Sequence, residues 1–326
     1  MGLIETAQLA TRRAIALGVG VFAILAAAAA GALFLWPDRE RMQASPGVLP
    51  RASDTLAFVR GKENVVSDIY VAKSNGSQVK RLTGGPGFKY DPDWSPDGKW
   101  LLYRYEPPGP LATRPPPLGL VVMRADGTEA VDVATLVGVF SGPASWAPRD
   151  GWIAFSGGKP GEQSGIYAVR RDGSMLRRLT PPGREAQYPA WSPDGNRIAF
   201  TYVEPGGGFR IYVMNEDGTN ITRLTEGPED NWPVWSPDSS RIAFSREDSI
   251  WVMDADGSNA RLATTRGGAP LNWSPAASLT FSCLRPGGKI GGACTISPQG
   301  EDFRVLLSGA EGGFPAWRPA GAGAHR

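Results

Sequence analysis

The chain has 326 residues with 34 basic and 32 acidic side chains, a net charge of +2, one histidine and two cysteines. So even a balance, with no basic stripe interleaved with aromatics, excludes nucleic-acid binding driven by a positive field. The lone histidine, His325, lies beyond the last recognisable strand, which removes Ser-His-Asp and Cys-His catalysis and any zinc site that needs imidazole.

In chain order, a short tail (1–13) ends at Arg12-Arg13 and leads into residues 14–36, 23 residues without a charge. At about 1.5 Å per residue such a run crosses a hydrocarbon core of about 30 Å. A transmembrane helix is predicted here. Its length favours a retained anchor over a signal-peptide core, which is typically about 7 to 15 residues. Two arginines flank each side, so charge alone does not orient it. Residues 37–53 carry Pro37, Pro46 and Pro50 and read as a semi-extended linker.

From residue 54 to 319 the text repeats. Trp94, Trp146, Trp191, Trp235, Trp273 and Trp317 recur at spacings of 38 to 52 residues, mostly within versions of Trp-Ser-Pro-Asp-Gly. The fullest copy runs Tyr188-Pro-Ala-Trp-Ser-Pro-Asp-Gly-Asn-Arg-Ile-Ala-Phe200, then Arg210-Ile-Tyr-Val-Met-Asn-Glu-Asp-Gly-Thr219, then Thr222-Arg-Leu-Thr225. Pro-Asp-Gly and Asp-Gly are turn formers, while Ile-Ala-Phe and Ile-Tyr-Val-Met suit strands, so each unit is an antiparallel meander. Units of roughly 40 to 45 residues with four strands have the period of propeller blades. The second-strand phrase occurs six times, from Thr55-Leu-Ala-Phe-Val59 to Ser278-Leu-Thr-Phe281. The first blade thus opens on its second strand, and Phe314-Pro-Ala-Trp-Arg-Pro319 is left over to complete it. The fold class is all-β: one six-bladed β-propeller after an N-terminal transmembrane helix, with a C-terminal tail at 320–326.

This pattern resembles the repeat of TolB-type β-propellers, a branch of the WD-like repeats, over residues of about 54 to 319. The copies around Trp146 (Trp-Ala-Pro-Arg-Asp-Gly) and Trp273 (Trp-Ser-Pro-Ala-Ala) depart from it. The resemblance implies a periplasmic or cell-surface scaffold that binds other proteins, so the propeller is expected outside the cytoplasm. An α/β domain like the one preceding the TolB propeller has no counterpart between linker and first blade.

Residues just before each Trp begin the innermost strand, where the central channel opens. Tyr90, Asp91, Gln187, Tyr188, Asp230, Asn231, Trp232 and Phe314 are therefore the candidate channel-mouth contacts for a protein, peptide or glycan. Tyr and Trp are favoured at binding hot spots, although aromatics here could equally plug the channel. Asp91, Asp93 and Asp230 are weak calcium candidates, since carboxylate oxygens suit a hard cation; no cofactor is otherwise expected. A propeller hydrolase or lyase using these carboxylates, or an accessory propeller for a separate peptidase, are the alternatives to a non-catalytic scaffold. Asp97, Asp194 and Asp238, and Asp126, Asp172, Asp217 and Asp256, occur once per blade and read as turn formers. Cys283 and Cys294 fall on adjacent strands of the last blade, where a cross-strand disulfide fits an oxidising compartment. Residues 105–118, rich in proline, form an extended loop inside the second blade.

Overall fold

The computed structural model describes residues 55–318 apart from 63–65, 74–75, 109–118, 134–139, 160, 266, 275–276, 285–289 and 309–315. The predicted membrane segment, its flanking tail and linker, Phe314 and the C-terminal tail lie outside the described residues. No helix among the described residues is long and apolar enough to cross a membrane.

The strands form six four-stranded antiparallel sheets. Blade 1 contains β1 (Thr55–Lys62), β2 (Val66–Lys73) and β3 (Lys80–Arg81). Blade 2 contains β4 (Phe88–Trp94), β5 (Trp100–Glu106), β6 (Gly119–Arg124) and β7 (Val131–Asp132). Blade 3 follows with β8 (Phe140–Trp146), β9 (Trp152–Gly158), β10 (Gly165–Arg170) and β11 (Arg177–Arg178). Blade 4 has β12 (Ala186–Trp191), β13 (Arg197–Val203), β14 (Phe209–Asn215) and β15 (Thr222–Arg223). Blade 5 has β16 (Asp230–Trp235), β17 (Arg241–Arg246), β18 (Ser249–Asp254) and β19 (Arg261–Thr264). Blade 6 has β20 (Gly267–Trp273), β21 (Leu279–Leu284), β22 (Ile290–Ile296) and β23 (Arg304–Ser308), and the chain returns to blade 1 through β24 (Ala316–Trp317).

The closure is the expected one. β24 pairs with β1, Leu56 opposite Trp317 and Ala57 opposite Ala316, and Arg318 N–H donates to the Thr55 carbonyl at 2.9 Å. Sequence order alone leaves β1 as an open edge; the last strand covers it.

The turns follow from the repeated residues. Ser95, Ser192 and Ser236 each donate through Oγ to the aspartate two positions on, at 2.5 to 2.6 Å. The Asp-Gly turns between third and fourth strands also need their glycines. Gly218 sits at φ 92°, and a Cβ there would meet the Leu179 carbonyl oxygen of blade 3 at 2.6 Å. Local turn and blade-to-blade packing thus demand the same residue.

The core lies between blades. Trp94, Trp146, Trp191, Trp235 and Trp273 are buried, as are the second-strand phenylalanines Phe58, Phe155, Phe200, Phe244 and Phe281. Trp235, for example, packs with Ala199, Ile211 and Val213 of blade 4 as well as with Ile242 and Phe244 of its own blade. Most seam tryptophans also donate their indole N–H to the preceding blade: Trp94 to Ala316 O at 3.2 Å, Trp146 to Asp93 O at 3.2 Å, Trp235 to Ala190 O at 3.0 Å and Trp273 to Val234 O at 3.2 Å. Trp317 donates to Thr280 Oγ1 at 2.8 Å. Trp191 departs from the series, its buried Nε1 having no acceptor among the described residues.

The two cysteines lie on neighbouring strands of blade 6, β21 and β22, but are offset in register. Register sets Cys294 opposite Phe281 and Cys283 opposite Gly292, a diagonal rather than the directly opposed pair expected. Direct opposition of Cys283 and Cys294 would need the partners on β22 shifted by two residues in register. Cys294 is buried and disulfide-bonded, and Cys283 is the only other cysteine of the sequence.

Candidate functional site

The innermost strands β4, β12 and β16 each carry a bulge at the same place, between Tyr90 and Asp93, Gln187 and Ala190, and Asn231 and Val234. Within each bulge one residue takes a left-handed backbone: Asp91 at φ 50°, Tyr188 at 53° and Trp232 at 52°. A non-glycine residue there costs about 1 to 3 kcal/mol, the more so when bulky. Bulges re-aim side chains, and this one does so at equivalent positions in three blades. All three residues stand third before their blade's seam tryptophan, at the mouth end of the strand.

Two of the three meet directly. Tyr188 and Trp232 pack edge to face with ring centroids 5.4 Å apart. Burial pushes the Tyr188 hydroxyl above its ordinary range, opposed by a hydrogen bond with the Trp232 side chain and by the positive charge of Arg104. The charges of Asp91 and Glu185 also reach it. Asp91 is held by Arg104, whose Nε donates to Oδ2 at 2.5 Å, while Oδ1 has no partner among the described residues. The Arg104 guanidinium lies 5.6 Å from the centre of the Tyr90 ring, which stacks on Phe88. Blades 2, 4 and 5 therefore contribute a carboxylate–guanidinium pair and an aromatic pair to one mouth.

The other sequence candidates stand behind this arc. Asn231 Oδ1 accepts from Trp232 N and from Thr201 Oγ1, both at 2.9 Å, and so holds the Trp232 backbone. Asp230 is fully buried and bidentate with Arg246, at 2.7 and 3.1 Å. Gln187 is buried and donates to Glu185 at 2.5 Å. Asp93 belongs to the seam between blades 2 and 3, accepting from Trp146 N at 3.4 Å. Burial raises its carboxyl to about 6 against the lowering effect of the Trp146 and Trp94 backbone N–H groups. The calcium candidates Asp91, Asp93 and Asp230 thus have separate partners. Among the described residues no three His, Cys, Asp or Glu side chains gather to hold a metal ion.

Arg104 and Arg246 were not singled out by sequence reasoning. A signal existed for Arg104: it falls on β5 where blades 3, 4 and 5 place Ser156, Thr201 and Ser245 and blade 1 places Val59. A charge replacing a small uncharged side chain once in a repeat marks a blade put to its own use.

The blade count, the closing strand and the seam tryptophans define the class, a six-bladed β-propeller built from Trp-Ser-Pro-Asp-Gly repeats. A model of the TolB beta propeller domain matches residues 117–275 and 185–323, and the chain belongs to that family. Among solved structures it is similar to TolB from Acinetobacter baumannii, with 21% identity and a TM-score of 0.68 over 82% of this chain and 67% of that one. A protein described as a TolB from Agrobacterium tumefaciens shares 20% identity with a TM-score of 0.60, over 82% and 91% of the two chains. An oligogalacturonate lyase in complex with manganese shares the fold at 14% identity and a TM-score of 0.54, over 78% and 74%. A search of curated proteins finds no significant match.

Proposed function

We propose that this protein is a non-catalytic binding scaffold of the cell envelope, anchored by residues 14–36, that presents its channel mouth to a protein or peptide on the extracytoplasmic side. The observation that carries the reading is the repeated left-handed backbone at Asp91, Tyr188 and Trp232. Strain of that kind persists where the surrounding structure over-determines it, and it gathers at ligand sites. The mouth pairs aromatic surface with charge, the mixture that dominates interface hot spots. Its carboxylates support binding better than acid–base chemistry, because Asp91 and Asp230 are each engaged by arginine. Membership of the TolB propeller family favours a protein partner and an extracytoplasmic location, and a glycan is the other ligand class the mouth could take.

The test is affinity purification from solubilised envelopes with the parent chain, Trp232→Ala and Asp194→Ser, followed by mass spectrometry. A partner retained by Asp194→Ser and lost by a folded Trp232→Ala supports the mouth, and the reverse pattern refutes it. Anchoring is tested separately. The chain should stay in the membrane fraction through high salt and carbonate, which remove peripheral but not spanning proteins; release by carbonate would refute a retained span.

A further inference from the structure

The channel mouth leaves two hydrogen-bonding groups unmatched, one of each kind. Asp91 stands where blades 4 and 5 place Tyr188 and Trp232, three residues before the seam tryptophan. Arg104 engages it on one oxygen only, bringing both Nε and Nη2 to Oδ2, although the guanidinium fork suits two oxygens at once. Oδ1 is left without a donor among the described residues. Tyr188 supplies the converse. The Trp232 indole carries a donor and no acceptor, so in their hydrogen bond the Tyr188 oxygen accepts, and its own proton has no acceptor among the described residues. The charge of Asp91 reaches Tyr188, which sets both groups around one opening. Polar groups left unpaired are costly, and these two also carry left-handed backbone, at φ 50° and 53°. The Asp91 side chain keeps 19% of its surface exposed, so a turn of the carboxylate presents Oδ1 to the opening.

The charges around these groups cancel in pairs. Arg104 neutralises Asp91, Arg246 meets Asp230 at 2.7 Å, and Arg184 meets Glu204 at 2.7 Å. Glu185 remains, and the Gln187 carboxamide donates to it at 2.5 Å. An anion entering here faces Asp91 and Glu185 while the arginines are already paired. A cation brought to Asp91 lies beside the Arg104 guanidinium. Like charges repel in both cases, and an ion gives up its hydration for little return. An uncharged group that both donates and accepts meets neither penalty.

We infer, on the reading that the mouth is the binding surface, that it receives an asparagine or glutamine side chain of its protein partner. The carboxamide N–H donates to Asp91 Oδ1, and its carbonyl accepts from the Tyr188 hydroxyl. A trans peptide unit points its N–H and C=O in opposite directions, so a main-chain amide reaches only one of the two. A primary carboxamide sets one N–H and its C=O side by side on the same edge. Its short apolar stem packs against the Tyr188–Trp232 pair, whose rings supply the nonpolar part of the contact.

The experiment uses the purified full chain in detergent, isotope-labelled at its tryptophans, and follows by NMR the Trp232 indole N–H signal, assigned by its loss in Trp232→Phe. The probes are the capped pentapeptide Gly-Gly-Asn-Gly-Gly, its Gln, Asp, Lys and Leu counterparts, and maltose. At millimolar concentration the Asn and Gln peptides should shift the signal. The Asp, Lys and Leu peptides should bind about tenfold more weakly, the worth of about one neutral hydrogen bond. Tyr188→Phe should cost the Asn peptide a similar factor. Asp91→Asn leaves Arg104 uncompensated, so there the Asp peptide should overtake the Asn peptide, whereas a residue that only shaped the mouth would weaken all peptides alike. Thermal unfolding identifies any variant that has lost its fold, and the parent's own ranking of the peptides decides the question without variants. Equal binding of the Asn and Leu peptides overturns the proposal, as does the absence of a shift with either carboxamide peptide. Tighter binding of the Lys or Asp peptide by the parent overturns it on charge, and tighter binding of maltose assigns the mouth to a glycan. Failure here, with an envelope partner still captured through Trp232, strikes the carboxamide alone; failure together with loss of that capture strikes the mouth itself.

Discussion

Two seam tryptophans of nearly equal burial differ in a single hydrogen bond. Trp191 is 7% exposed and Trp235 6%, yet only Trp235 passes its indole N–H to a carbonyl, Ala190 O at 3.0 Å. A buried tryptophan removes about 150 to 250 Å² from water, which at about 25 cal/mol per Å² amounts to about 4 to 6 kcal/mol. Truncation to alanine at either site should therefore cost about 3 to 5 kcal/mol, the range for large aromatic deletions. Phenylalanine separates the two sites. At 235 it keeps most of the packing but orphans the Ala190 carbonyl, and the loss should be about 2 to 3 kcal/mol. At 191 it loses similar area while removing an unsatisfied buried donor, a group that itself costs about 1 to 3 kcal/mol, so the net change should lie near zero. The Arg197 guanidinium, 4.7 Å from the Trp235 ring centre, adds in the same direction because indole is the better cation–π partner. Urea unfolding followed by far-UV circular dichroism, with midpoints compared at constant slope, reads the difference. Equal losses in Trp191→Phe and Trp235→Phe, or the larger loss at 191, would refute the reasoning that the seam bond stabilises each blade contact.

Deleting residues 312–326 should expose the edge of β1 and remove the Trp94 and Trp317 indole bonds together; a truncated chain that melts with the parent would rule the closure out as a stabilising element. Asp93 gives a pH signature of unusual sign. Its folded carboxyl titrates near 6, above the unfolded value of 3.8, so the folded state binds the extra proton and the contribution to stability is fully present below about pH 4 and lost as pH rises through about 6, by about 3 kcal/mol. Asp93→Asn should flatten that slope and gain stability at pH 7; an unchanged difference between variant and parent from pH 4 to 7 would contradict the burial argument. Non-reduced peptide mapping of protein from its native envelope should show Cys283 linked to Cys294, and free thiols there would overturn both the pairing and the oxidising compartment it implies.

Much of the fold was legible because a repeat states the same physical constraint six times. The Trp period, the turn residues and the orphan Phe314-Pro-Ala-Trp-Arg-Pro319 strand together required six blades and a closure across the chain's ends. Each Pro-Asp-Gly aspartate was readable as a turn former because a once-per-blade residue cannot mark a unique site. The site was legible only by position. Tyr188 and Trp232 could be placed near the mouth by counting back from Trp191 and Trp235, but their mutual contact and the reach of the Asp91–Arg104 pair toward Tyr188 depend on how blades are rotated about the channel. Gln187, Asn231 and Asp230 had the same positional claim, yet burial turned them toward supporting partners, because a bulge directs only one residue of the segment into the opening. Asp93 shows the same limit from the other side: one residue from Trp94, it enters the seam, since strand alternation and the neighbouring blade together choose its face. Local sequence thus determined strands, turns and blade number, whose causes lie within a few residues. Tertiary structure decided which side chains converge, because residues from blades 2, 4 and 5 meet only once the ring is closed.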